Sequence, residues 1–117
     1  MMIPFAQAAA APSAYDQAAA ETRSAYSAKV AKCKPQAPAA RRACIKSARA
    51  EAQGSLGRTY AEALGGAKRA YASAAARCRT MNQSDHRRCM KTARAERAMA
   101  LGRAEEIRSA PLALGPN

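Results

Sequence analysis

The sequence contains no tryptophan, one phenylalanine and four tyrosines, and most of its apolar residues are alanines. Alanine buries little surface, so a core built from it contributes few kcal/mol at roughly 25 cal/mol per Å². Alanine is also the strongest helix former. With 117 residues the chain is one domain at most. We therefore expect a strongly helical protein with a thin core, in which covalent cross-links supply much of the stability.

Several kinds of functional site have no counterpart in the sequence. We find no paired carboxylates, no nucleophile with a base at a useful spacing, and no Cys-x-x-Cys motif. Gly65-Gly66 lacks the residues that surround a phosphate-binding glycine loop. The single histidine, His86, lies between a predicted cap and two arginines, and we expect it at the surface. These absences argue against an enzyme, and we predict no cofactor and no metal site.

Long apolar runs and acidic residues are also scarce. No stretch approaches the ~20 apolar residues that are needed to span a bilayer, so we expect no transmembrane helix. Only 8 Asp and Glu stand against 20 Lys and Arg, which gives a formal net charge of +12. Such a surface attracts an anionic polymer, lipid head groups or an acidic protein, and nucleic acid is an alternative partner. The charge also has a simpler interpretation, as a solvated helix surface that keeps the protein soluble.

The main feature that the sequence does contain is a tandem duplication. Cys33 and Cys44 recur as Cys78 and Cys89, each 45 residues further on. An internal repeat of this length indicates that one structural unit is built twice. We divide the folded part, residues 13–110, into repeats of about 15–59 and 60–104, followed by a loose tail at 111–117. The same offset relates Tyr15 to Tyr60, Tyr26 to Tyr71, and Leu56-Gly57-Arg58 to Leu101-Gly102-Arg103.

The first helix and the turn after it are marked by caps and breakers. Ser13 and Asp16 have the spacing of a capping box, which predicts a helix start. Two prolines in residues 34–38 stop that helix near Cys33. Pro38 suits the first position of the next helix. An apolar stripe at helical spacing supports this first helix, and its members are Tyr15, Ala19, Thr22, Tyr26, Val30 and Cys33.

A second, long helix is predicted from about residue 39 to 78. One stripe passes through Gly65-Gly66 without losing phase, and we therefore favour a three-helix, up-down-up rod over four helices with a break at the glycines. The third helix is expected to start with Ser84 or Asp85 as its cap and to end before Pro111. The stripe of the long helix contains Ile45, Ala48, Ala52, Leu56, Tyr60, Ala63, Ala67, Ala70, Ala74 and Cys78.

The four tyrosines lie on these apolar stripes, which favours core packing over stacking on nucleobases. Counting levels across an antiparallel pair of helices places Tyr60 near Ile107. The same counting places Tyr15 near Glu62.

Each cysteine pair flanks a helix-breaking turn, which brings its two Cα atoms to a separation that a disulfide can span. We predict the disulfides Cys33–Cys44 and Cys78–Cys89, each worth ~3 kcal/mol in the chain-entropy model. A twin Cys-x9-Cys hairpin would keep both cysteines of a pair inside one helix, which Pro35 and Pro38 exclude. A four-cysteine zinc site usually contains a Cys-x2-4-Cys knuckle, and the sequence has none.

The duplicated pattern resembles a group of Ala- and Lys/Arg-rich helical repeat proteins that proteobacteria export. The matching residues are Lys32-Cys33-Lys34 with Cys44, and Arg77-Cys78-Arg79 with Cys89. The similarity covers roughly residues 15–104, although the prolines in the first turn and the high arginine content depart from the group. The resemblance implies export and helical repeats, and it implies nothing about chemistry.

The N-terminus adds to the prediction of export. Residues 1–8 read like the last part of a secretory signal, with Ala6-Gln7-Ala8 as a small-x-small cleavage site. No basic region precedes it and the apolar part is short, so residues 1–12 are either a truncated signal or a short apolar arm. Paired cysteines also indicate an oxidising compartment. We expect a periplasmic or secreted protein, with a cytoplasmic one as the alternative.

The cations crowd the two turns, which makes the turns the candidate anion-binding sites. A straight central helix would place the turns at opposite ends of a rod, whereas a break at Gly65-Gly66 would bring them together as one basic face. Part of the clustering has a local cause, because Lys32 and Lys34 favour a helix C-terminus. The predicted anion-binding residues are Lys32, Lys34, Arg41, Arg42, Arg77, Arg79, Arg87, Arg88 and Lys91.

Three functional hypotheses follow from these patterns. The first is a non-enzymatic, exported helical protein that binds an anionic surface or partner through its basic turns. The second is a cytoplasmic nucleic-acid-binding protein with reduced cysteines. The third is a structural subunit of a larger assembly, since a long alanine seam leaves apolar surface for a neighbouring chain to cover.

Overall fold

The computed structural model describes residues 13–112, which form three α-helices and, within that part of the chain, no strand. The helices are α1 (Ala14–Cys33), α2 (Pro38–Cys78) and α3 (Gln83–Ser109). The predicted all-α, three-helix architecture is confirmed. The signal-like segment at residues 1–12, and residues 113–117 of the tail, lie outside the described residues.

α1 begins as its sequence predicts. The hydroxyl of Ser13 accepts a hydrogen bond from the backbone N–H of Asp16 at 3.1 Å. The Asp16 carboxylate accepts in return from the backbone N–H of Ser13 at 3.3 Å. This capping box satisfies two donors that a helix start otherwise leaves free.

α2 is one helix of 41 residues, and it starts at Pro38 and continues through Gly65-Gly66. At 1.5 Å per residue its length is ~60 Å. The four-helix alternative is therefore wrong. Neither glycine has a positive φ, and the apolar stripe stays in register on both sides, so packing against both neighbouring helices holds the weak helix formers in place.

The cap of α3 differs from the prediction. Neither Ser84 nor Asp85 is the N-cap; Asn82 is, and its side-chain oxygen accepts from the backbone N–H of Asp85 at 2.9 Å. Asp85 instead lies in the first turn, where a carboxylate is favoured by the helix dipole. The helix thus begins two to three residues before the predicted start, and its end at Ser109 agrees with the prediction.

The three helices form an elongated, flattened rod with extents of 69 × 39 × 15 Å. α1 packs antiparallel along the first half of α2, and α3 packs antiparallel along the second half. Each half of α2 thus belongs to a different helical hairpin. Because the chain runs up α1, down α2 and up α3, the two connecting turns lie at opposite ends of the rod.

Two apolar clusters hold these hairpins together. One lies between α1 and α2 and contains Tyr26, Val30, Ala48 and Ala52. The other lies at the middle of α2, where the start of α1 and the end of α3 both reach it. Leu112, in the segment predicted to be loose, packs against both clusters. The buried residues of the central cluster are Ala19, Leu56, Ala63, Ala104 and Ile107.

The predicted stripe of α2 agrees with the observed burial at most of its positions. Ala70 is exposed, whereas Ala75, outside the predicted stripe, is buried. Thr59 is also buried, with its hydroxyl bonded to the carbonyl of Ser55 at 3.1 Å. The stripe therefore turns slightly around the helix as the partner of α2 changes from α1 to α3.

Tyr60 and Tyr15 both pack against the central cluster. That cluster contains Ile107, as expected for Tyr60, and Ala63, which adjoins Glu62. The hydroxyl of Tyr15 reaches one helical turn further, to 2.6 Å from the point where a Cβ on Gly66 would stand. The missing side chain of Gly66 makes room for the tyrosine, and this close approach sets the stagger of α1 on α2.

We predict opposite outcomes for two glycines of α2. Gly57→Ala should stabilise the fold by up to about 1 kcal/mol, because alanine is the better helix former and no other atom lies within 4 Å of the added Cβ. Gly66→Ala gains the same propensity but forces Tyr15 to move, since the ring atoms are also only 3.3 Å away. Denaturant unfolding of the oxidised variants should show a gain for Gly57→Ala alone.

The control is a double variant. Tyr15→Ala removes the side chain with which a Cβ at position 66 would clash. The double variant Tyr15→Ala, Gly66→Ala should therefore be more stable than the single variant Tyr15→Ala. Equal stabilisation by Gly57→Ala and Gly66→Ala would contradict the close packing of Tyr15 on α2.

Candidate anion-binding tips

A disulfide closes each end of the rod. Cys33 and Cys44 are bonded with their Cα atoms 5.6 Å apart, and Cys78 and Cys89 with theirs 5.5 Å apart. The predicted pairing is confirmed. We name residues 29–46 the first tip, residues 74–91 the second tip, and the part of the rod between them the shaft. Cys33 and Cys78 are completely buried, so each disulfide also fills the end of a hairpin core.

Backbone hydrogen bonds fix both turns. In the first tip, the N–H of Gln36 donates to the carbonyl of Cys33 at 3.1 Å. In the second tip, the N–H of Met81 donates to the carbonyl of Cys78 at 3.1 Å, which is the same bond one repeat later. These bonds satisfy carbonyls at the ends of α1 and α2. The two tips therefore share a backbone framework as well as a cysteine spacing.

The first tip carries six cations and no acidic residue, and all six side chains are exposed. Lys29 forms an ion pair with Glu51 of the shaft. Arg41 donates to the carbonyl of Gln36 at 3.2 Å, so this arginine also supports the turn. Arg42 and Lys46 make no ion pair within residues 13–112. The cations are Lys29, Lys32, Lys34, Arg41, Arg42 and Lys46.

The second tip carries five Lys and Arg residues and one acid, Asp85. Arg88 pairs with Asp85 at 3.0 Å, and Arg77 donates to the hydroxyl of Ser73 at 3.1 Å. Arg79, Arg87 and Lys91 are exposed and make no ion pair among the described residues. The five cations of this tip are Arg77, Arg79, Arg87, Arg88 and Lys91.

His86 has a structural contact that the sequence did not reveal. It is half-buried rather than exposed, and its Nδ1 lies 2.9 Å from the carbonyl oxygen of Cys78. In this contact Nδ1–H donates to a carbonyl at the C-terminus of α2. The ring therefore links α3 to the end of α2 beside the disulfide.

The helix starts at the two tips differ in their electrostatics. α2 has Ala37 as its N-cap, with no side-chain hydrogen bond and no acid in the first turn. α3 has the Asn82 cap and Asp85 in its first turn. Free N–H groups at a helix start add positive potential. The first tip is therefore the more electropositive of the two.

Most of the net charge lies at the tips. Of the total of +12, the first tip holds six positive charges and the second a net four. The rest of the chain holds nine Lys and Arg against seven Asp and Glu, a net charge of only two. The structure divides the nine predicted anion-binding residues into two groups: Lys32, Lys34, Arg41 and Arg42 lie at the first tip, and the other five lie at the second, ~60 Å away along α2.

Several shaft arginines contact the fold itself. The guanidinium of Arg97 lies 4.0 Å from the centre of the Tyr71 ring, and that of Arg108 lies 4.9 Å from the centre of the Tyr60 ring. Arg23 donates to the carbonyl of Ile107 at 3.1 Å, which connects α1 to the end of α3. A hydrogen bond to Glu105 raises the pKa of the Arg108 guanidinium. The tyrosine rings are thus occupied by packing and cation–π contacts.

The second tip also exposes an apolar side chain. Met81 is 45% exposed at the turn and borders a shallow groove of about 330 Å³ between α2 and α3. The equivalent residue of the first tip, 45 positions earlier, is Gln36. The second tip therefore combines cations with an apolar contact, whereas the first offers polar groups at the same place. Other residues that line the groove are Ala74, Arg77, Cys89, Thr92, Ala93 and Glu96.

Neither a metal cluster nor a membrane-spanning helix is found in the described part of the chain. Within residues 13–112, no three His, Cys, Asp or Glu side chains are grouped as metal ligands would be. None of the three helices is long and apolar enough to cross a bilayer. Comparison with known proteins finds no matching family model, no significantly similar curated protein and no significantly similar solved structure.

Proposed function

We propose that this protein is an exported, non-enzymatic helical rod that binds a densely anionic surface through its two basic tips. The observation that carries the proposal is the distribution of charge, because ten of the twelve net positive charges lie at the tips. A charge that served only solubility would be spread along the shaft as well. Concentrated, exposed cations at the ends of a rod instead favour contact with a partner at those ends.

Export is supported by the two intramolecular disulfides. Structural disulfides persist in oxidising compartments and are rare in the cytosol, where thiols are kept reduced. The signal-like residues 1–8 and the resemblance to exported proteobacterial proteins agree with this proposal. The cytoplasmic nucleic-acid-binding alternative requires free cysteines, so the same disulfides disfavour it.

Arginine content indicates the chemistry of the partner. Of the eleven Lys and Arg residues at the tips, six are arginines. A guanidinium presents a planar fork of donors that matches a phosphate group. Near an anionic membrane surface each Lys or Arg contributes about 1 kcal/mol. The cations of one tip therefore provide a binding free energy of several kcal/mol.

Four of these arginines lie near the starts of the two helices that leave the turns. Arg41, Arg42, Arg87 and Arg88 lie in the first two turns of α2 and α3. Arg41 and Arg88 each have a local contact within the tip. Arg42 and Arg87 have none among the described residues, and we infer that these two face the partner.

The test is a quadruple variant in which Arg41, Arg42, Arg87 and Arg88 are replaced by Gln. Each tip loses two cations, or about 2 kcal/mol by the membrane estimate. This loss corresponds to roughly a 30-fold weaker affinity. Helicity and melting temperature should change little, because the replaced side chains are exposed. Cosedimentation with phosphatidylglycerol vesicles at low salt measures the affinity, and circular dichroism checks the fold.

A shaft variant of the same net charge is the matched control. Arg49, Arg58, Arg94 and Arg103 are all exposed and lie outside the two tips, along the shaft. Replacing these four with Gln should weaken binding only a few-fold. An equal loss in the two variants would show that binding follows net charge alone, and the proposal of tip-localised sites would then be abandoned.

A further inference from the structure

We propose that the rod is bivalent: its two tips bind separate anionic lipid bilayers, so that one molecule tethers two membrane surfaces. The inference rests on the proposed function, and it adds the source of the phosphate groups and the consequence of having two sites. It starts from the duplication, which has placed the same disulfide-closed basic turn at each end of a rod 69 Å long.

Because the two tips lie at opposite ends of the rod, an upright molecule can contact one flat surface with only one of them. If one tip contacts a bilayer end-on, the other is held ~60 Å away by the unbroken α2. The molecule can bring both tips to one surface only by lying flat. In that orientation the shaft, with nine cations against seven acids, gives little further attraction. An upright molecule exposes a second, free basic tip.

The two tips act independently of each other. The Debye length at physiological ionic strength is ≈8 Å, far shorter than the separation of the tips. Occupation of the first tip therefore leaves the potential at the second unchanged. The free tip therefore attracts a second bilayer as strongly as it would if the other tip were unoccupied.

The shape of the charged surface favours a bilayer over duplex nucleic acid. Proteins that follow a nucleic-acid backbone present cations in a stripe along one face or helix. Here the cations surround convex hairpin ends, and acids such as Glu51 and Glu62 interrupt the shaft. Met81, exposed within the basic second tip, adds an apolar contact that suits the head-group region of a bilayer.

The duplication supplies matched variants for the test. Arg42 and Lys46 of the first tip correspond to Arg87 and Lys91 of the second, and none of the four makes an ion pair within residues 13–112. Replacing both residues of one pair with Glu changes that tip by four charges. Arg49→Glu with Arg94→Glu changes the net charge equally but leaves both tips intact.

Phosphatidylglycerol–phosphatidylcholine vesicles are the probe, with cosedimentation to measure binding and dynamic light scattering to measure tethering. The wild type should bind the vesicles and cluster them. Each single-tip variant should still bind, more weakly, and should not cluster vesicles. The variant with all four Glu substitutions at the tips should do neither, whereas the Arg49→Glu, Arg94→Glu protein should bind within a few-fold of the wild type and should still cluster vesicles.

Four results would overturn the inference, each for a different reason. Binding without clustering by the wild type would leave the proposed function intact and refute bivalency. Clustering by the single-tip variants, or its loss in the shaft variant, would show that it arises from self-association or net charge. Tight binding of duplex DNA with none of the vesicles would refute the lipid partner. If wild-type protein bound neither probe, the proposed function itself would fail.

Discussion

Reduction of both disulfides is expected to unfold the protein. Each bond closes a loop between residues 11 apart in sequence and contributes ~3 kcal/mol in the chain-entropy model. Together they account for ~6 kcal/mol, which is comparable to the whole stability of a domain at the low end of the usual range of about 5–15 kcal/mol. The alanine-rich core places this protein at that low end. Far-UV circular dichroism with and without reductant measures the loss.

Variants that lack one disulfide at a time test whether each hairpin is stabilised by its own disulfide. Cys33→Ser with Cys44→Ser and Cys78→Ser with Cys89→Ser should each lower the free energy of unfolding by ~3 kcal/mol. Hydrogen exchange should show the largest loss of protection in the hairpin whose bond is missing. A reduced protein that keeps its helicity and melting temperature would contradict the account of a thin core that relies on covalent closure.

Leu56→Ala is expected to lower the free energy of unfolding by about 2–3 kcal/mol. Leu56 is only 5% exposed and lies in the central cluster with Ile107 and three alanines, Ala19, Ala63 and Ala104. Its neighbours are mostly small, so they cannot collapse into the space that a smaller residue leaves. Denaturant unfolding of the oxidised protein measures the effect.

The duplication supplies the control for this substitution too. Leu101 is the equivalent of Leu56 in the second repeat, but it is 38% exposed. Leu101→Ala should therefore change stability by no more than about 0.5 kcal/mol. Equal effects of the two substitutions would mean that the two repeats pack alike, and the central junction of three helices would have no special role.

The sequence was sufficient to predict the helices because its local signals agree with one another. The capping box at Ser13, the prolines at 35 and 38, and an unbroken stripe through Gly65-Gly66 all indicate the same boundaries. The disulfides followed from the same signals, because a turn between two helices brings its flanking cysteines together. The up-down-up order of three helices then placed the basic turns at opposite ends of the rod.

Other features depend on distances that a sequence does not contain. Asn82, Ser84 and Asp85 are all residue types that cap helices well. Which of them is the cap depends on the length of the turn between the end of α2 and the start of α3. The close approach of Tyr15 to Gly66 depends on the stagger of α1 on α2. Leu56 and Leu101 are equivalent in the repeats, yet only Leu56 lies where α1 and α3 meet.

The candidate site was predictable in outline and not in detail. Clusters of cations around both turns are visible in the sequence. The contacts of Arg41 with the Gln36 carbonyl and of His86 with the Cys78 carbonyl are not, because they join a side chain to a backbone group across a turn. Such contacts separate the cations that support a tip from those, such as Arg42 and Arg87, that are available to a partner.

The distance between the tips tests the central claim most directly. The tethering proposal requires a straight α2 that holds the basic turns apart. Spin labels on cysteines introduced at Ala39 and Ser84, which are exposed, equivalent positions of the two repeats, report this distance, since all four native cysteines are in disulfides. Double electron–electron resonance should give one narrow distribution near roughly 60 Å. A distance below about half that value would mean that α2 folds back at Gly65-Gly66 and joins the tips into one basic face.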